Sequence, residues 1–505
     1  MPAGPRRRRR KDHQPGWKGF RADLADGWKH VLTHTSTNHK VFVLFVLLLG
    51  TVLRILRLGG PVTMDEALTY VNYAGRPFGF LLSDYTYASN HILYAVLGRA
   101  STLLLGVHPW SLRLPALLAG ILAMGLGYLF VRKAFNRHIA VIYLCLLAVS
   151  GPLVEYSAMA RGFSLVWLFT LGALLASRHF VKTENWASAI AMALACALGA
   201  WAAPAMAYPA LMVYGWTLFM IMSEYESTVR RRALKLAGSF LLALLMTALC
   251  YTPVVVVHSL DQLIHHPSLV DNTWAKFANS HQDRTFDLWA YFTATTSATL
   301  AFAGIVAVSY AAYVSKKYRL LLWAMLLAAL ALVLLMHQIP PPAAWTYILL
   351  VFHLGTAIGL FYLLKFVRDK FIPAFSKGQR TLVAGVLVLL AFGWMGQRGD
   401  RDPVERFPDA QLAAEWVVRN TRAGDRVCVQ APWDVPLKFY LACAGGDVAV
   451  LMEMPAPGGK VWALVAPGHG QVPEGVLLDA GLPASDAAML KEIKSWGRLE
   501  LYGSE

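Results

Sequence analysis

Two adjacent carboxylates, Asp65 and Glu66, are the first residues of this 505-residue chain whose type and position suggest chemistry. They follow the first long apolar segment, residues 41–58, at the end of the run Pro-Val-Thr-Met-Asp-Glu. An aspartate in such a place is suited to accept a proton from an attacking hydroxyl, and general-base catalysis accelerates reactions by on the order of 10²- to 10⁴-fold. Glu66 would orient the base or the acceptor, or would only cap the following helix.

Arg161 is the second candidate, in a short polar segment between two apolar ones. A charged side chain at such a boundary needs water or a partner. A guanidinium group offers forked donors that match phosphate oxygens, so a phosphate contact is one interpretation. Glu155, earlier in the same segment, and a lipid headgroup are the alternative partners for Arg161.

The third candidate is the pair Asn90 and His91, with Asp84 upstream. A lone histidine is more often structural than catalytic, so both roles stay open for His91. A histidine-rich loop further along the chain is a weaker candidate for a metal site. Its spacing fits no standard zinc motif, and a solvated loop is favoured there; the residues are His258, Asp261, His265 and His266.

The composition identifies the chain as a membrane protein. Hydrophobic residues make up 57% and charged residues 15%, whereas a soluble chain carries about 25% charged residues. The apolar residues form many blocks of roughly 17 to 23, long enough for helices that cross a membrane and unlike the short alternating strands of a barrel. The predicted fold class is therefore a polytopic α-helical membrane protein.

The net charge of +16 is distributed in short loops that would face the cytoplasm. This arrangement sets the topology and favours anionic membrane lipids as partners, and it argues against nucleic acid. Every basic loop lies on the cytoplasmic side only if the chain crosses the membrane about eleven times. Residues 91–106 are then predicted to form a re-entrant or interfacial helix that does not cross. After the segment 41–58, the predicted spans are residues 112–131, 139–154, 163–180, 187–203, 205–222, 236–257, 290–314, 320–336, 345–364 and 381–395.

The chain divides into three predicted regions. A basic cytoplasmic segment, residues 1–40, precedes a transmembrane domain, residues 41–396, that carries an outer loop at 59–111. Residues 397–505 have the composition of a small extracytoplasmic α/β domain. The patterns there predict helices at 409–420 and 488–496 and strands at 426–430 and 461–465. Two cysteines of this domain would form a disulfide or remain free thiols; they are Cys428 and Cys443.

Several short motifs, in order, resemble those of the bacterial membrane glycosyltransferases of the GT-C superfamily. The nearest family in type is family 39, with the protein O-mannosyltransferases and the aminoarabinose transferases that modify lipid A. The resemblance is dense over about residues 40–180. The motifs are Asp65-Glu66, Asn90-His91-Ile92-Leu93-Tyr94, Arg113-Leu114-Pro115, Tyr156-Ser157 and Ala160-Arg161-Gly162-Phe163-Ser164.

The resemblance implies a sugar transfer from a polyprenyl-phosphate donor to a hydroxyl of a lipid, glycan or protein acceptor. The transfer would be a single inverting displacement at the outer face of a bacterial cytoplasmic membrane. Asp65 would be the general base with Glu66 as its catalytic neighbour, and Arg161 would hold the donor phosphate. The sugar and acceptor site would be lined by Asn90, His91 and Tyr156. No cofactor is required, because cationic donors stabilise the departing phosphate. A divalent metal is possible but not indicated.

Three alternatives remain from the sequence. A lipid or polysaccharide transporter would carry ionisable residues at mid-membrane and paired halves, and the sequence has neither. An oligosaccharide polymerase or ligase would differ only in its donor. A non-catalytic scaffold would have no need of Asp65.

Overall fold

The computed structural model describes residues 16–33, 35–87, 90–264, 273–296, 298–372, 376–396 and 405–504. The basic run at residues 6–11 and the histidines at 265 and 266 lie outside the described residues. The part described is a helical bundle followed by a small sheet domain.

Helices account for most of the described residues up to residue 396. In chain order they are α1 Gly16–Thr33, α2 Thr37–Leu58, α3 Met64–Leu68, α4 Phe78–Ser83, α5 Ile92–Leu105, α6 Pro109–Ala134, α7 Arg137–Val149, α8 Gly151–Tyr156, α9 Phe163–Thr183, α10 Trp186–Ala202, α11 Ala207–Glu224, α12 Val229–Ile264, α13 Trp274–Thr296, α14 Ala298–Val314, α15 Lys316–Met336, α16 Ile348–Phe371 and α17 Lys377–Gly396. A π-helical turn, Thr69–Ala74, follows α3 directly.

A helix overlaps every span predicted from the sequence. Seven of the described helices are long and apolar enough to cross a membrane, or eight if the bent pair α13 and α14 is one span. The prediction of a polytopic helical membrane protein is confirmed. The number of eleven crossings stays a prediction, because α7 and α10 are apolar but shorter.

Helix α5 is the segment expected to be re-entrant or interfacial. Its 14 residues extend about 21 Å at 1.5 Å per residue, less than the ~30 Å of a hydrocarbon core. It ends at Gly106, whose φ of 82° suits glycine, and α6 begins with Pro109 in its first turn. The sharp turn between them packs α5 back against α6.

The core of the bundle lies around α6, α7 and α9. Small residues let these helices approach closely, as is common between membrane helices. A Cβ atom added at Gly127 of α6 would lie 2.9 Å from Leu147 of α7, and one at Gly50 of α2 would lie 2.7 Å from Met124 of α6. The loops at the ends of these helices are therefore held on a closely packed support.

A four-stranded sheet forms the centre of the C-terminal domain. Its strands are β1 Arg426–Val429, β2 Val461–Val465, β3 Leu490–Trp496 and β4 Leu499–Ser504, in the order β1-β2-β4-β3. Strands β1 and β2 are parallel, and the other neighbours are antiparallel. Helices α18 Pro408–Asn420, α19 Asp434–Cys443 and α20 Pro473–Asp479 complete the domain.

The helix predicted at residues 488–496 is wrong, because most of this segment is strand β3. It lies at the edge of the sheet and pairs with β4 through a hairpin at Gly497. Its exposed face carries Lys491 and Lys494, as expected of an edge strand that avoids pairing with other chains. Since Leu490 and Ile493 are three residues apart, the spacing imitated a helix.

The two cysteines of this domain are free thiols. Cys428 lies in β1 and is buried, and Cys443 ends α19. Of the two arrangements left open by the sequence, the structure therefore has the free thiols.

Candidate active site

The two carboxylates found in the sequence begin α3 and face different surroundings. Thr63 caps this helix: Glu66 N–H donates to Thr63 Oγ1 over 3.4 Å, and Thr63 N–H donates to Glu66 Oε2 over 3.0 Å. This capping box turns Glu66 inward. Asp65, one residue earlier, keeps 51% of its side chain exposed.

Glu66 is fully buried and forms an ion pair with Arg113 of α6. Arg113 Nε and Nη2 donate to the two carboxylate oxygens, each over 2.7 Å, and neither side chain is exposed. Burial alone would raise the pKa of Glu66, but the charge and hydrogen bonds of Arg113 and the bonds from Thr63 and Ala160 lower it below its usual range. Glu66 is thus an ionised structural group.

The same arginine holds the loop that leads to Asp65. Arg113 donates to the carbonyl oxygens of Leu58 over 2.8 Å, Gly60 over 2.6 Å and Pro61 over 3.0 Å. All of its donors are therefore used inside the protein. No role was predicted for Arg113 from the sequence, although an arginine at the end of an apolar span needs a partner.

Arg161 lies on a loop segment that is held on both sides. Ala160 N–H donates to Glu66 Oε1 over 2.7 Å, and Gly162 N–H donates to His91 Nδ1 over 2.8 Å. These two bonds fix the peptide groups that flank Arg161. The position of its guanidinium group is thereby linked to α3 and to the start of α5.

Arg161 and Asp65 contact each other. Arg161 Nη1 and Asp65 Oδ2 form an ion pair, with 12% of the arginine side chain exposed. The guanidinium group also lies 5.4 Å from the centre of the Phe163 ring. Arg161 Nε is buried and has no hydrogen-bond partner among the described residues. The alternative prediction, that Glu155 is the partner of Arg161, is wrong.

Glu155 instead pairs with Arg406, which precedes α18 of the C-terminal domain. Arg406 Nη1 also donates to Pro61 O over 3.1 Å. The C-terminal domain adds two more bonds to the loop before Asp65. Val62 N–H donates to Tyr440 Oη over 3.0 Å, and Phe407 N–H donates to Val62 O over 3.1 Å.

The rings of His91 and Tyr156 both pack against the ring of Phe163. The ring centroids lie 5.1 Å and 5.4 Å from that of Phe163, both edge-on. Burial and the charge of Arg161 hold the pKa of His91 well below its usual value, so the ring is neutral. Burial raises the pKa of Tyr156, and the charges of Arg161 and Asp65 both act on its hydroxyl. Both residues therefore lie beside the Asp65–Arg161 pair.

Asn90 is brought near the site, but its side chain is fully buried. Its Nδ2 donates to Asp84 O over 2.7 Å and to Leu81 O over 3.3 Å. Asp84 in turn lies 3.3 Å from the Nε2 of His258. The amide of Asn90 thus holds the turn before α5, and its contact with a sugar stays a prediction.

Groups of three or more metal-ligating side chains are absent from the described residues. The loop with the other two histidines of the candidate metal site lies outside them, so the need for a metal stays untested.

The fold and part of the sequence are similar to known proteins. The fold matches the crystal structure of ArnT from Cupriavidus metallidurans in the apo state, with a TM-score of 0.62 and 13% identity over 92% of this chain and 98% of that one. A model of the dolichyl-phosphate-mannose-protein mannosyltransferase family matches residues 90–251. Residues 90–251 of this chain are thus similar to that family, and the chain as a whole has the fold of ArnT.

The fold of the chain also matches the crystal structure of ArnT from Cupriavidus metallidurans bound to undecaprenyl phosphate. The TM-score is 0.59 and the identity 14%, over 93% of this chain and 98% of that one. At such identities the likeness shows the fold. The region matched by the family model contains His91, Arg113 and Arg161, and Asp65 precedes it. No curated protein matches the sequence.

Proposed function

We propose that this protein is a GT-C glycosyltransferase that transfers a sugar from a polyprenyl-phosphate donor to an acceptor hydroxyl by a single inverting displacement. The observation that carries the proposal is the contact between the half-exposed Asp65 and the largely buried Arg161. A base and a phosphate ligand are the two groups that such a reaction needs, and here they are adjacent.

In the proposed reaction, Asp65 accepts the proton of the acceptor hydroxyl. The oxygen of that hydroxyl attacks the anomeric carbon of the donor sugar. The bond between that carbon and the phosphate oxygen breaks, and the lipid phosphate leaves with the electron pair. Arg161 stabilises the charge that develops on this phosphate. The free Nε of Arg161 supports this role, because a buried donor without a partner favours an incoming acceptor.

In this proposal Glu66, with Arg113, positions the two reactive side chains and does not touch substrate. Its carboxylate already accepts hydrogen bonds from the side chains of Arg113 and Thr63 and from the backbone N–H groups of Thr63 and Ala160. Tyr156 and His91 form the wall of the site beside Phe163, where a sugar ring would pack. Asn90 supports the same wall from within.

The donor class rests on the fold. ArnT, which shares the fold, has been crystallised with undecaprenyl phosphate, and the phosphate ligand proposed here would serve such a donor. The acceptor is a hydroxyl of a lipid, glycan or protein. The distribution of basic loops supports a bacterial cytoplasmic membrane with the site and the C-terminal domain on the outer face.

The test is sugar transfer by the purified full-length protein with a panel of undecaprenyl-phosphate sugars, with products identified by mass spectrometry. We expect Asp65→Asn to lower kcat by at least about 10²-fold, and Arg161→Gln to raise the KM for the donor. Asp283→Asn is the matched control, because Asp283 is an exposed aspartate of α13. Near-full activity of Asp65→Asn would overturn the proposal, as would equal losses in the control.

A further inference from the structure

A second polar cavity lies at the end of the bundle opposite Asp65. It occupies about 400 Å³ between the first turns of α2, α7 and α17. Since α2 has 22 residues, the cavity lies about 33 Å along the helix from the end that leads to Asp65. It is therefore separate from the candidate active site. We call it the basic cavity.

The side chains that line the basic cavity carry positive charge and imidazole groups. Arg137 and Lys377 are cationic, and His39 and His138 lie beside them. Carboxylates are absent from its lining, which consists of described residues. An uncompensated group of this kind attracts anions.

Arg380 adds a further positive charge next to the cavity. It lies one turn after Lys377 on α17 and is only 3% exposed. Its Nε and Nη1 have no hydrogen-bond partner among the described residues. The guanidinium group is close enough for its charge to act on the His138 ring. The carboxylate of Asp369 acts on Arg380 at a distance but forms its hydrogen bond and ion pair with Arg368. The unused buried donors of Arg380 therefore favour an added acceptor.

The three helices hold the cavity in a defined shape. His138 Nδ1 and Thr381 Oγ1 lie 2.7 Å apart and connect α7 to α17. A Cβ atom added at Gly385 would lie 2.9 Å from the Phe42 ring and 3.2 Å from Cys145 Sγ. Asn136 and Ser376 already cap the first N–H groups of α7 and α17. The attraction for an anion therefore comes mainly from the side chains.

The inner wall of the cavity is apolar and continues onto the lipid-facing surface. Phe42, Val141 and Leu382 line the wall. Beyond it, Phe45 of α2 is 53% exposed and Val386 of α17 is 40% exposed. A polar mouth above an apolar surface matches a phosphate headgroup with its acyl chains.

We propose that the basic cavity binds a phosphate group, carried by an anionic membrane phospholipid or present as free phosphate. Arg137 and Lys377 would contact its oxygens, and His39 would complete the contact as a donor. The His138 ring already accepts a hydrogen bond from Arg137 Nε and pairs with Thr381 Oγ1, so it would hold the arginine in place. The apolar wall favours the lipid as the source.

The experiment uses the full-length protein, delipidated in detergent, and native mass spectrometry. Phosphatidylglycerol and phosphatidylcholine are added in separate arms, and inorganic phosphate is added in a third arm read by thermal unfolding. The test variant is Arg137→Gln with Lys377→Gln. The matched control is Lys316→Gln with Lys317→Gln, which removes the same charge from the exposed start of α15 at the same end of the bundle. A charge-keeping variant, Arg137→Lys with Lys377→Arg, guards against misfolding.

We expect one phosphatidylglycerol to be retained more tightly than phosphatidylcholine. Its affinity should fall about thirtyfold in the test variant, given the usual contribution of two basic residues. The control and the charge-keeping variant should retain it. Stabilisation by inorganic phosphate alone, lost in the test variant, would support the site with free phosphate as the source. Equal retention of phosphatidylcholine, or equal losses in test and control, with no specific response to inorganic phosphate, would overturn the proposal.

Discussion

Glu66 and Arg113 form a fully buried ion pair with two hydrogen bonds of 2.7 Å. The arginine fastens the loop before Asp65 through three backbone carbonyls. The glutamate reaches the peptide before Arg161. This one pair therefore sets the distance between the two side chains proposed to carry out the reaction.

Removing one partner of the pair should strongly destabilise the protein. In Glu66→Gln the guanidinium of Arg113 loses its counter-charge while it remains buried, and such a loss costs about 3–5 kcal/mol. Thermal unfolding in detergent measures the effect. The surface control Glu474→Gln should change stability by less than about 0.5 kcal/mol. The double variant Glu66→Met with Arg113→Met should recover part of the loss, and equal stability of Glu66→Gln and wild type would contradict a buried ion pair.

The stability of the wild type should also depend on pH through Glu66. Its pKa in the folded protein is lower than the ordinary value of 4.5, so the unfolded state binds the proton first as the pH falls. The contribution of ionised Glu66 to the free energy of unfolding is complete well above pH 4.5. It is lost as the pH falls through the pKa that Glu66 has in the folded protein. Comparing the Tm of wild type and Glu66→Gln from pH 7 downwards tests this. The difference should shrink below about pH 4.5, and a constant difference would count against the assignment.

Gly162 should not tolerate a side chain. A Cβ atom there would lie 2.2 Å from the carbonyl oxygen of Ala202 and 3.1 Å from His91 Nδ1. Gly162→Ala must therefore shift the segment that carries Arg161, and overpacking costs about 1–3 kcal/mol. We expect lower transfer activity and a lower Tm. In Gly172→Ala, within helix α9, which begins directly after Gly162, a Cβ would meet nothing within 4 Å. That control should be stabilised by roughly 0.5–1 kcal/mol, so equal behaviour of the two variants would refute the close approach.

His91 should act as a neutral acceptor for Gly162 N–H. His91→Ala leaves that buried N–H unpaired, at a cost of about 1–3 kcal/mol. His91→Asn places an oxygen near the position of Nδ1 and should recover most of the loss. Because the folded pKa is depressed below 6.5, the wild type should lose stability as the pH falls below about that value, where the unfolded state takes up a proton. Neither variant should show this loss of stability at low pH. If the loss persists in His91→Asn, it arises from another group.

The C-terminal domain should influence the active site through Arg406. Its contacts with Glu155 and Pro61 O join the domain to both loops of the site. Because the Arg406–Glu155 pair is partly exposed, we expect its loss in Arg406→Ala to weaken the attachment of the domain to the site by only about 1 kcal/mol. The resulting loss in kcat/KM is about fivefold. Arg419→Ala changes an exposed arginine of α18 in the same domain. An equal loss in that control would indicate a general effect of charge.

Most of the fold follows from local properties of the sequence. A run of apolar residues that is long enough to cross a membrane must form a helix there, because its backbone groups have no other partners. Residues 163–180 and 320–336 illustrate this, since the observed helices extend only a few residues beyond them. Strand β3 could not be predicted in the same way. Its spacing of apolar residues is compatible with a helix, and only pairing with β4 decides it.

The sequence by itself determined which residue types were available for chemistry, namely an aspartate after the first span and an arginine between two later ones. Their contact was decided by the tertiary structure, because the five helices α4 to α8 separate Asp65 in α3 from Arg161 in the loop before α9. The tertiary structure also decided that Asp65 is half-exposed and Glu66 is buried. A helix turn directs adjacent side chains in different directions, and only the packing of α6 against α3 placed Arg113 beside one of the two carboxylates.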